Sequence, residues 1–467
     1  MPLSNGSAAE YVRRMDADLV VIGTGPGGEY LAGRAAAAGL TVVVAEKRLV
    51  GGECPYFGCI PSKIMLRAAH ALAEARRAGQ LAGTVSIEPS WEPVAKRVAE
   101  EATDHWDDTV AVKRLEDAGA TVIRGTGRLE GTRRAVITPA DGTAEVTVEA
   151  RIGVVLNPGT RPAAPPIAGL EGTPYWTNRE ALQATAVPAE LIVVGGGPIG
   201  CELAQVFSGF GSRVTLIQHG PRLLPGDEPE ASALLERVLV AEGVRVLTDA
   251  EPSTVAYAEG RFTLTLADGQ RVAGDRLLVA TGRTPNTDGL GLESVGLDPR
   301  RLTVDDRMRA AEGLWVIGDV AGHGAFTHLS MYQADIALRS LLGQGGPAAR
   351  YHAVPHTTFT DPEVGGVGLT EAAARAAGLA VRTGSADLAA SSRGFTHGPG
   401  AVGLIKLVEA DGVLVGATTV GPAGGEILAM LTLAVHARVP VETLRTMIYA
   451  YPTFHRTIET ALGDLHD

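Results

Sequence analysis

The sequence predicts an α/β protein, and three observations carry that reading. Two glycine-rich turns, at residues 23–28 and 195–200, each lie between an apolar, β-branched run and an Ala-rich helical run. From about residue 349, strand-like runs alternate with Ala-rich helices and no third turn of this kind occurs, which predicts a separate α+β unit. The chain has 467 residues, too many for one ordinary core, so two or three domains are expected. Hydrophobic content of 45 % with mixed charge marks a soluble globular chain, and a net charge of -12 argues against a nucleic-acid partner. No segment reaches the roughly 18 apolar residues of a membrane helix. Residues 1–14 are polar and small, without the apolar centre of a signal peptide. Three cysteines in so long a chain fit a reducing cytoplasm and not a secreted disulfide framework.

In chain order, residues 18–22 read as a buried parallel strand, and the turn and an Ala-rich helix follow to about Ala38. A second strand, residues 41–45, ends at Glu46. Strand, glycine turn, helix, strand and acid in this order form a dinucleotide-binding fingerprint. Gly23 permits the tight turn, Gly25 lets backbone amides approach a pyrophosphate, Gly28 allows close helix packing, and Glu46 would accept from a ribose hydroxyl.

Residues 51–63 read Gly-Gly-Glu-Cys-Pro-Tyr-Phe-Gly-Cys-Ile-Pro-Ser-Lys and hold Cys54 and Cys59. Pro55 and Gly58 lie between the two cysteines, and such a segment can fold back to bring the sulfurs within bonding distance. Pro61 reads as the first position of a helix that continues through residues 63–77, so Cys59 would lie near a helix N-terminus, where a thiolate is favoured. Lys63, one turn on, adds a cation. A bridge-forming pair with one activated sulfur is a redox centre. The alternative is a metal half-site, which would need two further Cys or His ligands at matching spacing, and none is near.

Residues 87–118 are patterned as helix and 121–148 as short strands with Asp-Gly turns. The Pro/Gly-rich stretch around Asn157, Pro158 and Gly159 is a candidate boundary. The second fingerprint has its strand at 191–194, its turn at Gly195, Gly197 and Gly200, its helix at 201–210, and its next strand at 214–217. The acid position is occupied by Gln218, which removes the main repulsion against a 2′-phosphate and favours NADPH over NADH. His219 or Arg222 would meet that phosphate; alternatively Arg222 only covers the strand edge. Cys201 reads as a small buried helix residue. Two such fingerprints with a thiol pair between them suggest a relay in which one nucleotide is held and the other visits. Strands at 277–280 and 314–317 end at Gly282 and at Asp319, and a helix starting near Thr327 and His328 would face its N-terminus to an electron-accepting ring.

Together these residues resemble the FAD-dependent pyridine nucleotide-disulfide oxidoreductases, the group of lipoamide dehydrogenase, glutathione reductase and mercuric reductase. The resemblance runs from Asp18 to Leu462 and is most specific at residues 51–63, with support from Ala280-Thr281-Gly282-Arg283-x-Pro285-Asn286, Ile317-Gly318-Asp319 and Thr360-Asp361-Pro362-Glu363-Val364. It implies two Rossmann-like domains and a C-terminal dimerisation domain: an FAD domain from 1–155 and 275–345, an NAD(P) domain at 156–274, and an interface domain at 346–467 that forms a homodimer. It further implies that hydride passes from NADPH or NADH to FAD and on to a Cys54–Cys59 disulfide. Cys59 would lie against the flavin and Cys54 would meet a small-molecule acceptor. Lys63 would pair with Glu202 beside the flavin, and Asp319 would bind the ribityl and phosphate region. Gly52, Gly282 and His328 join the cofactor-binding set.

The chain departs from that pattern near its end. Many disulfide-specific members carry His-Pro-Thr followed by Glu, where this chain has Tyr451-Pro452-Thr453 and Arg456. A tyrosine hydroxyl titrates near roughly pH 10 and is a poor base at neutral pH. His455 and Glu459, four apart, would share a helix face as a replacement dyad or as a surface ion pair. The departure disfavours glutathione, mycothiol and lipoamide as substrates and leaves a metal ion or quinone acceptor open. Mercuric reductases also carry Tyr here but add a C-terminal Cys pair, which this chain lacks. A transhydrogenase and a flavin-bearing redox sensor without turnover are the rival readings.

Overall fold

The computed structural model describes residues 13–466, so most of the polar leader at residues 1–14 lies outside the described residues. The chain divides into two compact units. Of the described residues, the first comprises 13–56, Thr103–Arg161 and Arg283–Arg350; the second comprises Phe57–Ala102, Pro162–Gly282 and 351–466.

In the first unit, β1 (Arg13–Ile22) leads through α1 (Pro26–Ala37) to β2 (Val42–Glu46). The two strands run parallel, with Leu19 opposite Val42 and Ile22 opposite Ala45. β2 and the second half of β1, Leu19–Ile22, are buried on both faces, which explains their near-continuous apolar residues. β3 (Ala120–Gly131) extends the sheet beyond β2, and β5 (Val146–Leu156) lies on the other side of β1. The strand Leu314–Val316 pairs in parallel beyond β5. β3 and β5 also pair antiparallel with β4 (Arg134–Pro139). The sequence suggested short strands here. The real ones are 12 and 11 residues long: β3 pairs first with β2 and then with β4, whereas β5 pairs with β4 at its start and with β1 along its whole length. A core of Val20, Ile22, Val43, Ile137, Val148, Leu156 and Val316 fills this unit.

The second unit holds three further sheets. A four-stranded parallel sheet runs in the order Arg276–Val279, Glu190–Val194, Arg213–Ile217, Arg245–Leu247. An antiparallel three-stranded sheet covers Pro252–Gly274, and a five-stranded antiparallel sheet is built from residues 355–421. The helices Gly424–His436 and Thr457–Gly463 pack on the last sheet through Leu428, Leu431, Ile458 and Leu462. The mixed α/β architecture agrees with expectation, and the C-terminal residues build their own five-stranded sheet within the second unit. The region 87–118 is less helical than its pattern: residues 83–90 are irregular, and helix is confined to short pieces, among them Glu92–Lys96 and Thr109–Asp117. Among the described residues, no helix is long and apolar enough to cross a membrane.

Candidate active site

The first glycine turn is built by backbone touching backbone. Gly23 has φ +90°, and a Cβ there would collide with the Asn157 carbonyl. A Cβ on Gly28 would strike the Gly23 carbonyl, and one on Gly52 would come within 2.7 Å of Gly25 Cα. Gly25 caps α1 with no side-chain hydrogen bond, leaving the first amides of the helix for a ligand. Glu46 faces the turn: its Oε2 accepts from the Thr24 amide at 2.8 Å and the Thr24 hydroxyl at 2.7 Å, and its Oε1 from the Arg48 amide at 2.7 Å. Oε1, with a single donor, keeps a lone pair for a ribose hydroxyl. Asp319 Oδ2 accepts from Thr160 Oγ1 at 2.6 Å, and Thr160 accepts from Arg283 Nε at 2.6 Å. The compact turn, the uncapped helix and two oriented carboxylates fit FAD.

Three contributors here were not read from the sequence. Asn157 donates from Nδ2 to the Gly25 carbonyl at 3.2 Å, and its own amide donates to Ile22 O at 2.8 Å, so it ties β5 to the glycine turn. Thr160 and Arg283 orient Asp319. The sequence signals are the Asn157-Pro158-Gly159 stretch, which reads as a boundary, and the motif at residues 280–286 that contains Arg283. His328 lies in the first turn of the helix Thr327–Leu341 and stacks on Phe326 with ring centroids 5.2 Å apart. Gly282 has φ +117° and open space beside its Cα.

The second turn repeats the design. Gly195 has φ +111°, and a Cβ on Gly200 would collide with the Gly195 carbonyl. Gly197 caps the helix Pro198–Gly209 without a side-chain bond and faces open space. Gln218 stands where Glu46 stands in the first turn, and its Oε1 accepts from the Gly196 amide at 2.9 Å. Arg222 is held by its own loop. It donates to the carbonyls of Asp227 at 2.7 Å and Pro225 at 2.8 Å, which favours the structural role of this residue over phosphate capture. Cys201 is fully buried against the Gly196 carbonyl, and burial pushes its thiol far up.

The thiol segment forms two helices. Cys54 lies in α2 (Glu53–Phe57), and Cys59 is the first residue of α3 (Cys59–Arg77). Both are half-buried. The helix starts two residues before Pro61; proline is tolerated because first-turn amides have no intrahelical partner. Gly58 caps α3 with no side-chain hydrogen bond, so Cys59 stands at an uncapped helix start. Lys63 Nζ meets both oxygens of Glu202, at 3.1 and 2.9 Å. Glu202 lies on the helix that the second glycine turn opens, and its Oε1 also accepts from the Phe359 amide at 2.8 Å. Among the described residues, no cluster of three or more His, Cys, Asp or Glu side chains is placed to hold a metal ion.

The C-terminal residues are arranged differently from expectation. The last helix begins at Thr457, so His455 precedes it and shares no helix face with Glu459. Glu459 pairs instead with Arg456 at 3.0 Å, and the His455 ring lies beside Tyr449 at 6.1 Å. The expected His455–Glu459 dyad is therefore absent. Proximity in sequence failed because a loop residue does not follow helical spacing. Tyr451 is 69 % exposed, with the Arg456 guanidinium 5.6 Å from its ring centre.

Two nucleotide-binding turns and a dithiol segment define a class of protein that moves electrons between a dinucleotide and sulfur. Residues 17–347 match the model of the pyridine nucleotide-disulphide oxidoreductases, and residues 354–462 match the dimerisation domain of the same group. The chain is 35 % identical to a dihydrolipoyl dehydrogenase of Thermus scotoductus, over 96 % of this chain and 97 % of that one. It is 33 % identical to a mercuric reductase of Acidithiobacillus ferrooxidans, over 95 % of this chain and 81 % of that one. Among solved structures, LpdA of Mycobacterium tuberculosis aligns with TM-score 0.84 and 30 % identity, over 97 % of this chain and 99 % of its own. The Cu(II) complex of the HOCl-induced flavoprotein disulfide reductase RclA of Escherichia coli aligns with TM-score 0.84 and 25 % identity, over 96 % of this chain and 99 % of its own. The chain belongs to the pyridine nucleotide-disulphide oxidoreductase family. It is an oxidoreductase whose cofactors are FAD and NAD(P)H.

Proposed function

We propose that the protein oxidises NAD(P)H at the second glycine turn and delivers the electrons to a Cys54–Cys59 disulfide, which reduces a small acceptor. NAD(P)H, one proton and the disulfide give NAD(P)+ and two thiols; the thiols then return to the disulfide as the acceptor takes two electrons. FAD supplies the two-electron carrier between nicotinamide and sulfur. The observation that carries the reading is the Lys63–Glu202 ion pair. It joins the helix that starts at Cys59 to the helix that starts at the second glycine turn.

In this reading Gly23, Gly25, Gly28, Glu46, Gly52, Gly282, Asp319 and His328 belong to the FAD site, and Gly195, Gly197, Gly200 and Gln218 to the NAD(P) site. Gln218 presents no carboxylate, so NADPH is admitted, as is NADH. Residues 1–155 and 275–345 form the FAD domain, 156–274 the NAD(P) domain and 346–467 the interface of a cytoplasmic homodimer. Cys59 is the thiol beside the flavin, Cys54 the thiol that meets the acceptor, and Lys63 stabilises negative charge gained on reduction.

The acceptor is one whose reduction needs no protein base, a metal ion or a quinone rather than a small disulfide. Support comes from the exposed Tyr451, from the Arg456–Glu459 pairing, and from the position of His455 outside the helix. An acceptor screen on the purified flavoprotein, comparing wild type with Tyr451→His, tests this. Wild type should turn over with metal ions or quinones and not with small disulfides, and Tyr451→His should gain disulfide activity. Fast wild-type reduction of glutathione disulfide or lipoamide would overturn the acceptor assignment.

A further inference from the structure

The ion pair beside the thiol helix is held by a segment of the dimerisation domain. Phe359 touches both of its members: its amide donates to Glu202 at 2.8 Å, and its ring lies under Lys63 Nζ, 4.6 Å from the ring centre. Two residues on, the main chain of Asp361 is clasped by Gln205. The Asp361 amide donates to Gln205 Oε1 at 2.8 Å, and Gln205 Nε2 donates back to the Asp361 carbonyl at 2.8 Å. Glu202 and Gln205 are one turn apart on the helix Pro198–Gly209, so this one helix grips alternate residues of the segment, as a neighbouring strand would.

α3 grips it from another side. Lys63, His70 and Arg77 recur every seven residues along α3 and therefore share a face, drifting only about 20° per repeat. Lys63 meets the Phe359 ring, and Arg77 Nη2 pairs with Asp361 Oδ2 at 2.7 Å. The Phe359 amide and both the amide and the carbonyl of Asp361 are thus engaged, and Gln205 is only 4 % exposed. A freely moving segment could not present the Phe359 amide to Glu202, and without that amide Oε1 of a buried carboxylate would lose one of its donors.

We propose that Gln205 and Phe359 are positioning residues for the Lys63–Glu202 pair: Gln205 fixes the main chain at Asp361, and Phe359 holds the carboxylate with its amide and the ammonium with its ring. The inference rests on the role given above to that pair. The dimerisation domain then does more than associate; it supplies the segment that sets the pair's geometry.

A double-mutant cycle tests it, read by single-turnover reduction of the bound flavin by NADPH and by its midpoint potential. Gln205→Ala removes its two bonds to Asp361 and one to Glu242; the loss felt at the pair, weakening of the single Phe359–Glu202 bond, should slow flavin reduction about fivefold and shift the midpoint, the size expected for about 1 kcal/mol. In a Glu202→Ala background the same substitution should change neither. An equal loss in both backgrounds would show that Gln205 acts elsewhere and would overturn the proposal. Phe359→Leu keeps the amide and removes the ring, so it carries the test if Gln205→Ala does not fold. Its effect, about two- to threefold for an exposed-to-half-buried cation–π contact, should vanish in Lys63→Met; an effect that persists there would overturn the role of the ring. If Glu202→Ala alone leaves both readouts unchanged, the role of the pair itself fails and this inference falls with it, a result distinguishable from the equal-loss outcome.

Discussion

Glu202 holds the Lys63 ammonium with both carboxylate oxygens, at 2.9 and 3.1 Å, while its side chain is only 7 % exposed and that of Lys63 is 34 % exposed. A buried carboxylate with a half-exposed cationic partner keeps that cation at one place. Glu202→Gln removes the negative charge and keeps the shape. It should lower kcat about 10- to 100-fold with little change in the Kd for NADPH, because the loss falls on charge developed during reduction and not on binding. Steady-state kinetics with an equilibrium binding measurement checks this; an unchanged kcat contradicts it.

The two glycine turns can be separated by one methyl group each. Gly28→Ala forces a Cβ into the Gly23 carbonyl, and Gly200→Ala forces one into the Gly195 carbonyl. The first variant should be purified with little FAD. The second should keep its flavin and bind NADPH at least about tenfold more weakly, the result of opening a turn that brings amides to a pyrophosphate. Flavin content by absorbance and NADPH titration distinguish the two.

The elements that were legible in the sequence are those whose signal is local. The strand–turn–helix units around Gly23 and Gly195 announce themselves within about 30 residues, and the turn, cap and strand geometry found there matches the reading. The start of α3 was displaced by two residues because proline is permitted anywhere in the first turn and so marks no single position. What stayed hidden depends on contacts between distant residues. Asn157 reaches a turn more than 130 residues away in sequence, and its Pro/Gly-rich setting marks a boundary without pointing to that contact. The Arg283–Thr160–Asp319 chain and the Gln205 clasp on Asp361 are equally silent. His455 and Glu459 failed for a different reason: spacing of four implies a shared face only inside a helix, and no capping residue at Arg456 warned that the helix began later.

His70 makes stability depend on pH. Burial is the largest influence on its ring, and it lowers the pKa below the ordinary 6.5; Nε2 is buried without a hydrogen-bond partner. The unfolded chain therefore takes up the proton at a higher pH than the folded one. Stability attributable to this group is intact above about pH 6.5 and falls as pH drops below it towards the lowered folded value. Chemical denaturation between pH 8 and 5 should show the decline, and His70→Gln should flatten it in that window. A slope unaffected by the substitution contradicts this assignment.

Lys406 neutralises a buried acidic group. Its side chain is 6 % exposed and meets Glu228 at 3.1 Å, Glu230 at 2.7 Å and Glu371 at 2.8 Å. Replacing it with Met keeps the volume and strands the Glu228 carboxylate, which is 2 % exposed. The expected cost is about 3–5 kcal/mol, as for breaking a buried ion pair by removing one partner. The urea midpoint should drop, while kcat of the protein that remains folded stays unchanged, since the cluster touches none of the proposed site residues.

The most direct test of electron delivery to sulfur is anaerobic alkylation with peptide mapping. Holoprotein treated with excess NADPH, then labelled under denaturing conditions, should show two newly reactive thiols, at Cys54 and Cys59, while Cys201 labels equally with and without NADPH. If NADPH is oxidised and the labelling of Cys54 and Cys59 does not change, the electrons do not reach these sulfurs and the account is contradicted.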